Sequence, residues 1–512
     1  MPSTVPLRGY RDEGGVVEGL HAACVNCHRP SGLGTTEGSV VVPPIIGKYL
    51  FRSHSTNVQD MSLPHVSGYR STREPYTDET LARAIREGVG PNGRTLSYLM
   101  PRYPMDDLSM ASLTNYLKGL SAMPTRGVIG DTLHFATIIT PDSDPIKRQA
   151  MLDVMEHFFA DKNQFIRGGV RPLQSSREIE YRVSRRWQLH VWQLSGESDQ
   201  WEQQLRARLA AEPVFAVISG LGGRTWAPIH HFCEVEKLPC LLPNVDLPVV
   251  AENDFYPIYF SRGVLLEADL MAKGLFGQSA SLTDSPHIAR LVQVYRQGDV
   301  GESASSALAA LARASGIKVE NRPLQHELSD QKEMTLALGG LAPDDALALW
   351  LRPADIQKLA SITPIPTRVF ISGIMSGMEN APLPEAWRTV ARLTYPVDLP
   401  ELRKVRMNFP QSWLRIKHLP IVDERIQADT YVACGILAET LTGMLDSFVP
   451  DYLVECVEAM VSHRLVNGYY PRLSLAPGQR FGSKGGYVVR FDTQKDGGNR
   501  QSIVADSEWT VP

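Results

Sequence analysis

Residues 213–245 read PVFAVISGLGGRTWAPIHHFCEVEKLPCLLPNV. The apolar run at the front is bounded by Pro213 and by the glycine-rich Ser219-Gly220-Leu221-Gly222-Gly223, which marks a buried strand ending in a turn. TWAPIHHFCEVEKL has helical character, and PCLLPNV is strand-like again. The same grammar runs outward on both sides. LHFATIIT (Leu133 to Thr140) reads as a buried strand, and DPIKRQAMLDVMEHFFADKN as a helix with Met151, Val154, Met155 and Phe158 on one face. WQLHVWQLSG precedes a helix carrying Trp201, Leu205 and Leu209 at i, i+4 and i+8. HIARLVQVYRQGDVGESASSALAALARASGIKVENRPL starts the pattern again, and DALALWLRPADIQKLASI and TRVFISGIMSG continue it. Alternation of this kind means parallel sheets with helices on both faces, and the restart predicts two lobes.

In open α/β sheets ligands sit beyond the carboxyl ends of the strands, which makes the loops there the candidates. Ser219 to Gly223 follows its strand directly and precedes a helix, whose N-terminal amides suit an anion; a plain tight turn is the competing reading. Asn244 and Asp246 follow the next strand, and Ser261-Arg262 a later one. Each could reach a cleft or be a solvated loop residue. His230 and His231 are neighbours on a helix, roughly 100° apart, and cannot easily share one metal ion. GLGG lacks the G-x-G-x-x-G spacing of a nucleotide loop, and no G-x-S-x-G elbow or H-E-x-x-H pair is present.

Over about residues 131–492 the order of segments, with ARASGIKVE, ADTYVACGILAETL and the closing GGYVVRFD, resembles the type I periplasmic binding proteins, the branched-chain amino acid and amide receptors of ABC transporters. The resemblance implies two Rossmann-like lobes over 131–512, lobe I from about 131–260 and 395–470 and lobe II from about 261–394 and the C-terminal part. It also implies a cleft closed by hinge bending, and a ligand carboxylate held by Ser219, Gly220, Leu221 and Gly222, with Asn244, Asp246 and Arg262 within reach. The implied ligand is a small amino acid, amide or carboxylate.

The first quarter is of another kind. GLHAACVNCHRPSGLG places Cys24, Cys27 and His28 in C-x-x-C-H spacing, which is read as a c-type haem attachment site, a zinc half-site or a redox dithiol. Structural zinc wants a second close Cys/His pair, but the other cysteines are Cys233, Cys240, Cys434 and Cys456, far downstream. A thioredoxin-like dithiol sits where a strand enters a helix in a βαβ unit, whereas GGVVEGLHAAC has helical spacing. Haem is the reading that remains. Thr77-Asp78-Glu79 opens a helix with Leu81, Ala84 and Ile85 on one face, a loop then presents Met100 before Pro101, and a helix from about Ser109 carries Leu113, Tyr116, Leu117 and Leu120. Met105 and Met61 are rival ligands, and core packing is the expected fate of Met105 and Met110.

An N-terminal helix ending in C-x-x-C-H, PPIIG at 43–47, REGV, MPRY and a helix ending YLKGL make residues 1–126 similar to a class I cytochrome c. That resemblance implies a small all-α domain with one haem c, thioether-bonded to Cys24 and Cys27. Its axial ligands would be His28 and Met100, and a Pro43 or Pro44 carbonyl would accept the hydrogen bond of the other His28 ring nitrogen. Such contacts orient the imidazole and raise its basicity.

The 512-residue chain is long enough for two or three domains. Its net charge of −4 argues against nucleic acid as partner, and no apolar run approaches the roughly 20 residues of a spanning helix. MPSTVPLRGYRDEGG is not a secretory leader, yet haem attachment of this kind belongs to the periplasm, so a leader removed or replaced by Met1 is expected. Cys233/Cys240 and Cys434/Cys456 could each pair in an oxidising compartment or remain buried thiols. Three functions follow. The leading one is a periplasmic electron-transfer cytochrome fused to a module that senses or captures a small molecule or docks a redox partner, a dehydrogenase or another cytochrome. The alternative is an ABC-transporter-type receptor with an accessory haem, and the third is a dehydrogenase subunit or haem enzyme.

Overall fold

The computed structural model describes residues 8–10, 15–51, 74–122, 124–167, 185–276, 288–325, 331–363, 365, 367–444, 447–492 and 502–512. Met61 lies outside them. Strands are numbered β1–β17 in chain order, and helices are named by their residues.

The N-terminal unit is not purely helical. β1 (Arg8–Tyr10) and β2 (Val16–Glu18) form an antiparallel ladder, followed by a 3₁₀ turn at Gly19–Ala22 and the short Val25–His28 helix. β3 (Thr35–Glu37) and β4 (Val40–Val42) make a second ladder. The helical spacing of GGVVEGLHAAC therefore does not become a helix. Of its supposed apolar stripe only Val17 packs against the unit's core, while Val16 and Leu20 are 44% and 88% exposed, and Gly19 sits at φ +59. The Asp78–Glu87 and Asp107–Gly119 helices do form. Thr77 caps the first by accepting from Thr80 N, and Asp106 caps the second by accepting from Ser109 N. The second helix buries Met110, Thr114 and Leu117, so the face that packs is rotated from the expected stripe and Tyr116 points to solvent.

The stretch that joins the N-terminal unit to β6 is fixed to the rest of the chain. The Thr125 hydroxyl donates to Phe448 O, Arg126 pairs with Glu236, and β5 (Val128–Ile129) pairs antiparallel with the start of β6 (Thr132–Ile139).

Two parallel sheets follow. In the first, β6, β7 (Arg186–Gln193), β8 (Ala216–Ile218), β9 (Cys240–Leu241) and β10 (Pro257–Ile258) lie in the order β10-β9-β8-β6-β7. In the second, β11 (Arg290–Arg296), β12 (Lys318–Leu324), β13 (Asp345–Trp350), β14 (Val369–Ser372) and β15 (Ala391–Tyr395) lie in the order β12-β11-β13-β14-β15. Antiparallel β16 (Tyr487–Phe491) and β17 (Ile503–Ala505) extend this sheet at its β15 edge. Each parallel run has the doubly wound order 2-1-3-4-5, with its reversal beside the first strand. The interior strands are buried on both faces, as βα crossovers require: β8 and β13 are buried throughout, whereas the edge strands β7 and β12 are partly exposed. The chain crosses from the first lobe to the second after β10. It then returns for the Pro400–Ile416, Glu424–Met444 and Pro450–Val461 helices, and crosses again before β16. The Glu424–Met444 helix packs on the Pro145–Arg167 helix of the first lobe.

Candidate functional site

The reversal points of the two sheets lie at β6/β8 and β11/β13, and residues beyond the carboxyl ends of β9, β11 and β13 meet. Asp246, beyond β9, belongs to the first lobe, and Arg352, beyond β13, to the second. Arg352 Nη1 stands 3.3 Å from Asp246 Oδ2, so an ion pair spans the cleft. Arg352 also forks onto Asp299, beyond β11, at 2.8 and 2.9 Å. Arg425, in the first turn of the Glu424–Met444 helix, reaches Asp246 Oδ1 at 3.1 Å. Burial would raise the Asp246 carboxyl, but Arg352 and Arg425 outweigh it and hold the group at about 2. Gly263, on the crossover, has φ +55, and a Cβ there would stand 2.1 Å from Asp246 O; only glycine lets the crossover fold onto that carbonyl.

Ser219 is fully buried at φ +48, an uncommon conformation for a non-glycine residue. Its Oγ lies 3.2 Å from Thr430 Oγ1 and accepts from Asn244 Nδ2 at 3.1 Å. Beside this cluster lies a cavity of about 20 Å³, room for roughly one or two water-sized groups. Asn244, Arg425, Asp429 and the rings of Tyr259, Phe260 and Tyr470 line it. Asn244 Oδ1 and Asp429 Oδ1 are buried there without a hydrogen-bond partner among the described residues. Burial pushes the Asp429 carboxyl up to about 7 against the pull of Arg425.

The glycine-rich loop has little left to offer a carboxylate. Ser219 N donates to Leu241 O at 3.0 Å, Leu221 N to Ile138 O at 2.9 Å and Gly222 N to Asn244 O at 3.1 Å. Gly223 N donates to Thr140 Oγ1 at 2.9 Å, and Arg224 N to Asp142 Oδ2 at 2.7 Å. An aspartate of the chain thus sits at the helix entrance where a ligand anion was expected. Gly220 and Gly222 serve packing instead, because a Cβ would stand 2.3 and 2.9 Å from the Trp226 ring. Of the residues expected in the cleft, the fold brings Ser219, Asn244 and Asp246 together. Arg262 turns aside to Asp269, at 2.6 Å. Arg352, Arg425, Asp429 and Thr430 were missed. WLRP, directly after a predicted strand, was the available signal for Arg352. His230 is buried between the Tyr259 hydroxyl at 2.7 Å and Asp254 at 2.5 Å, and His231 is exposed.

In the N-terminal unit, Cys24 and Cys27 are free thiols at the start and third position of one helical turn, Cys24 half-buried and Cys27 exposed. His28 is buried, with Nδ1 2.8 Å from Pro43 O. That contact assigns the proton to Nδ1 and leaves Nε2 as the lone pair, while burial lowers the pKa and favours the neutral ring. Met105 packs against the unit's core and Met110 is inside it, whereas Met100 stands outside that cluster in a half-buried loop. Among the described residues no three His, Cys, Asp or Glu side chains converge as a metal site. β2 pairs antiparallel with β1 and belongs to no βαβ unit, so the dithiol reading fails on topology rather than on the helical spacing first expected. Cys233, Cys240, Cys434 and Cys456 are free thiols as well.

The segment after His28 is clamped to the first lobe. Arg29, at φ +65, pairs with Glu458, which also pairs with Arg480. Ser31 donates to Glu455 from N at 2.8 Å and from Oγ at 2.6 Å, and burial pushes the Glu455 carboxyl up to about 7. Arg480 donates to Phe255 O, and its own carbonyl accepts from Tyr259 N at 2.8 Å. No described helix is long and apolar enough to cross a membrane.

No family model and no curated protein matches the chain. Among solved structures it is similar to a fatty acid ABC transporter substrate-binding protein from Thermomonospora curvata, with TM-score 0.53 and 16% identity over 76% of this chain and 95% of that one. A second is an ABC transporter substrate-binding protein from Sphaerobacter thermophilus, with TM-score 0.50 and 13% identity over 73% and 97% of the two chains. A possible leucine/isoleucine/valine-binding protein from Rhodopirellula baltica gives 0.49 and 15% over 75% and 98%. With the sheet orders above, the first two likenesses establish that about three quarters of the chain has the α/β, two-lobed fold of the type I periplasmic binding proteins.

Proposed function

We propose that the chain is a solute-binding protein of the ABC-transporter receptor kind that carries one covalently attached haem c. The observation behind the first half is the cleft: two doubly wound lobes meet at their reversal points, with unpartnered buried polar atoms facing a cavity between the strand ends and the Glu424–Met444 helix. The Thermomonospora curvata and Sphaerobacter thermophilus proteins of this fold are substrate-binding proteins of ABC transporters, which supports the reading. The ligand is a small molecule captured or sensed in the cleft, and the site of action is the periplasm, where both modules are at home.

The donor set of the N-terminal unit fits a haem. The two thiols of Cys24 and Cys27 are unpaired, and His28 is neutral and steered by Pro43 so that Nε2 can ligate. Met100 is the methionine left over from packing. Bound there, such a group supplies one-electron transfer at a potential raised by thioether ligation. This supports the second reading, electron transfer to a periplasmic dehydrogenase or another cytochrome, with the cleft as a ligand-dependent or docking module.

The optical spectrum of protein made with c-type haem maturation tests the cofactor. A low-spin c-type spectrum is expected, with its weak red-end band lost in Met100→Ala and kept in Met105→Ala. High-spin wild-type iron would sink Met100 as a ligand, and protein without covalent haem would sink the cofactor itself. Calorimetry with small amino acids, amides, amines and carboxylates tests the cleft, and silence throughout would leave a docking scaffold.

A further inference from the structure

Resting on the solute-binding reading, we propose that the inter-lobe cavity takes a compact primary ammonium ion, received by Asn244 Oδ1 and Asp429 Oδ1, and does not bind a ligand through a carboxylate. Three observations carry this. First, the groups suited to an anion are already matched within the chain. Asp142 holds Arg224 N, Asp246 stands between Arg352 and Arg425, and Asp299 takes the rest of the Arg352 fork. Arg352, Arg425 and Lys147 face the carboxyls of Asp246, Asp299, Asp423 and Asp429, so a bound carboxylate would enter a site with no excess of positive charge and would displace a buried ion pair.

Second, what is left over is acceptor. Asn244 turns its amide nitrogen to Ser219 and Thr430 and leaves Oδ1 unpartnered, and Asp429 leaves Oδ1 unpartnered. Both residues are more than nine-tenths buried and both line the cavity. An unpaired buried acceptor costs roughly 1–3 kcal/mol, and a primary ammonium brings three donors to satisfy two such atoms. Third, the size suits a compact ion: about 20 Å³ admits a group of one or two heavy atoms, between Arg425 and the aromatic residues Phe260 and Tyr470, whose rings stack on each other at 5.2 Å. The same room could hold a single water donating to both oxygens, which is the outcome to be tested against.

The test is calorimetry and thermal melting of the full chain with methylammonium chloride, against potassium chloride at equal ionic strength, sodium acetate and glycine. Saturable heat and a raised melting temperature with methylammonium, with acetate no different from chloride, are expected. Asp429→Asn keeps the shape and removes the charge. It should weaken methylammonium binding by at least about tenfold, the span of a lost charge-assisted hydrogen bond. Asn244→Leu serves as a second variant if Asp429→Asn does not fold. Methylammonium behaving as potassium would mean the cavity holds water, and overturns the proposal. Acetate, glycine or a larger amino acid binding where methylammonium does not would overturn it too, while leaving the solute-binding reading standing; only silence from the wider ligand screen removes both.

Discussion

Glu458→Gln is the most revealing change in this molecule. The Glu458 carboxylate lies between the guanidiniums of Arg29 and Arg480, with side-chain exposures of 3%, 11% and 5%. Removing its charge leaves two cations in a site that water barely enters. Breaking a buried pair in this way costs about 3–5 kcal/mol, because the surviving charge keeps its desolvation penalty. Arg480 retains Phe255 O and glutamine can still accept one hydrogen bond, which places the expectation near 3 kcal/mol. The loss falls on the docking of residues 29–34 against the Pro450–Val461 helix, so it should be read locally. Amide hydrogen exchange reports that opening, and the Ser31 amide, which donates to Glu455, should exchange about 100-fold faster, the factor that ~3 kcal/mol implies. The triple change Arg29→Met, Glu458→Leu, Arg480→Met should return exchange to within about tenfold of wild type, since apolar replacement of a whole buried ion cluster is often nearly neutral. Exchange in Glu458→Gln within threefold of wild type would refute the claim that this cluster clamps the two units.

Other expectations follow from the same geometry. Arg352→Met removes the ion pair across the cleft and should raise the radius of gyration seen by solution X-ray scattering as the lobes separate; an unchanged profile would show that the pair holds nothing shut. Gly263→Ala places a methyl group against Asp246 O at a positive φ and should lower stability by about 2 kcal/mol or more in a melting experiment, while a neutral result would contradict the described crossover. Burial raises Glu267, Asp429 and Glu455 to about 7. Between their unfolded values near 4 and pH 7 the folded chain therefore binds more protons than the unfolded one, and stability falls as pH rises, by at most about 1.4 kcal/mol per unit for each group. The Asp246 carboxyl works the other way only below about pH 4, where its stabilising ionisation is lost as pH falls towards 2. Melting temperatures should therefore decline from pH 5 to pH 7.5, and a rise over that interval would contradict the burial of these carboxyls.

Much of the two-lobed part was readable from pattern. A fully buried parallel strand is an unbroken apolar run and its helices carry i, i+4 stripes, so PVFAVISG and DALALW announce themselves. The helix with Trp201, Leu205 and Leu209 buries those three residues. Local periodicity does not report which loop residues will meet. Asp246 finds Arg352 and Arg425 at separations of 106 and 179 residues, and beyond the place of WLRP after a strand nothing in NVDLP, WLRP or DERIQ singles out one ion network from many solvated charges. The glycine-rich loop misled for a related reason: its free amides are a property of the turn, but Asp142, which takes one of them, arrives from the end of another strand. Near residue 20 the 3.6-residue spacing of Val16/Val17, Leu20 and Ala23 was real, but Val17 alone meets the core as a side chain of β2 while Val16 and Leu20 stay exposed. A helix that short draws its stability from packing, and the chain pairs Val16–Glu18 with Arg8–Tyr10 instead.

The attachment of the N-terminal unit bears on how the protein can be dissected. β5 lends two residues to the first lobe's sheet, Thr125 holds Phe448 O, and Val449 and Tyr452 of the first lobe pack against the N-terminal core. Cutting the gene anywhere between residues 121 and 131 therefore severs a shared structural seam. Each fragment would carry an exposed apolar scar, and the N-terminal one would keep Arg29 without Glu458 while Glu458 and Arg480 stay together on the other, so fragments made for separate study should be judged as damaged halves rather than as modules. For the intact chain the same seam fixes the direction in which the CVNCH segment faces, and a macromolecule seeking it must approach the whole body instead of waiting for a tethered head to swing round.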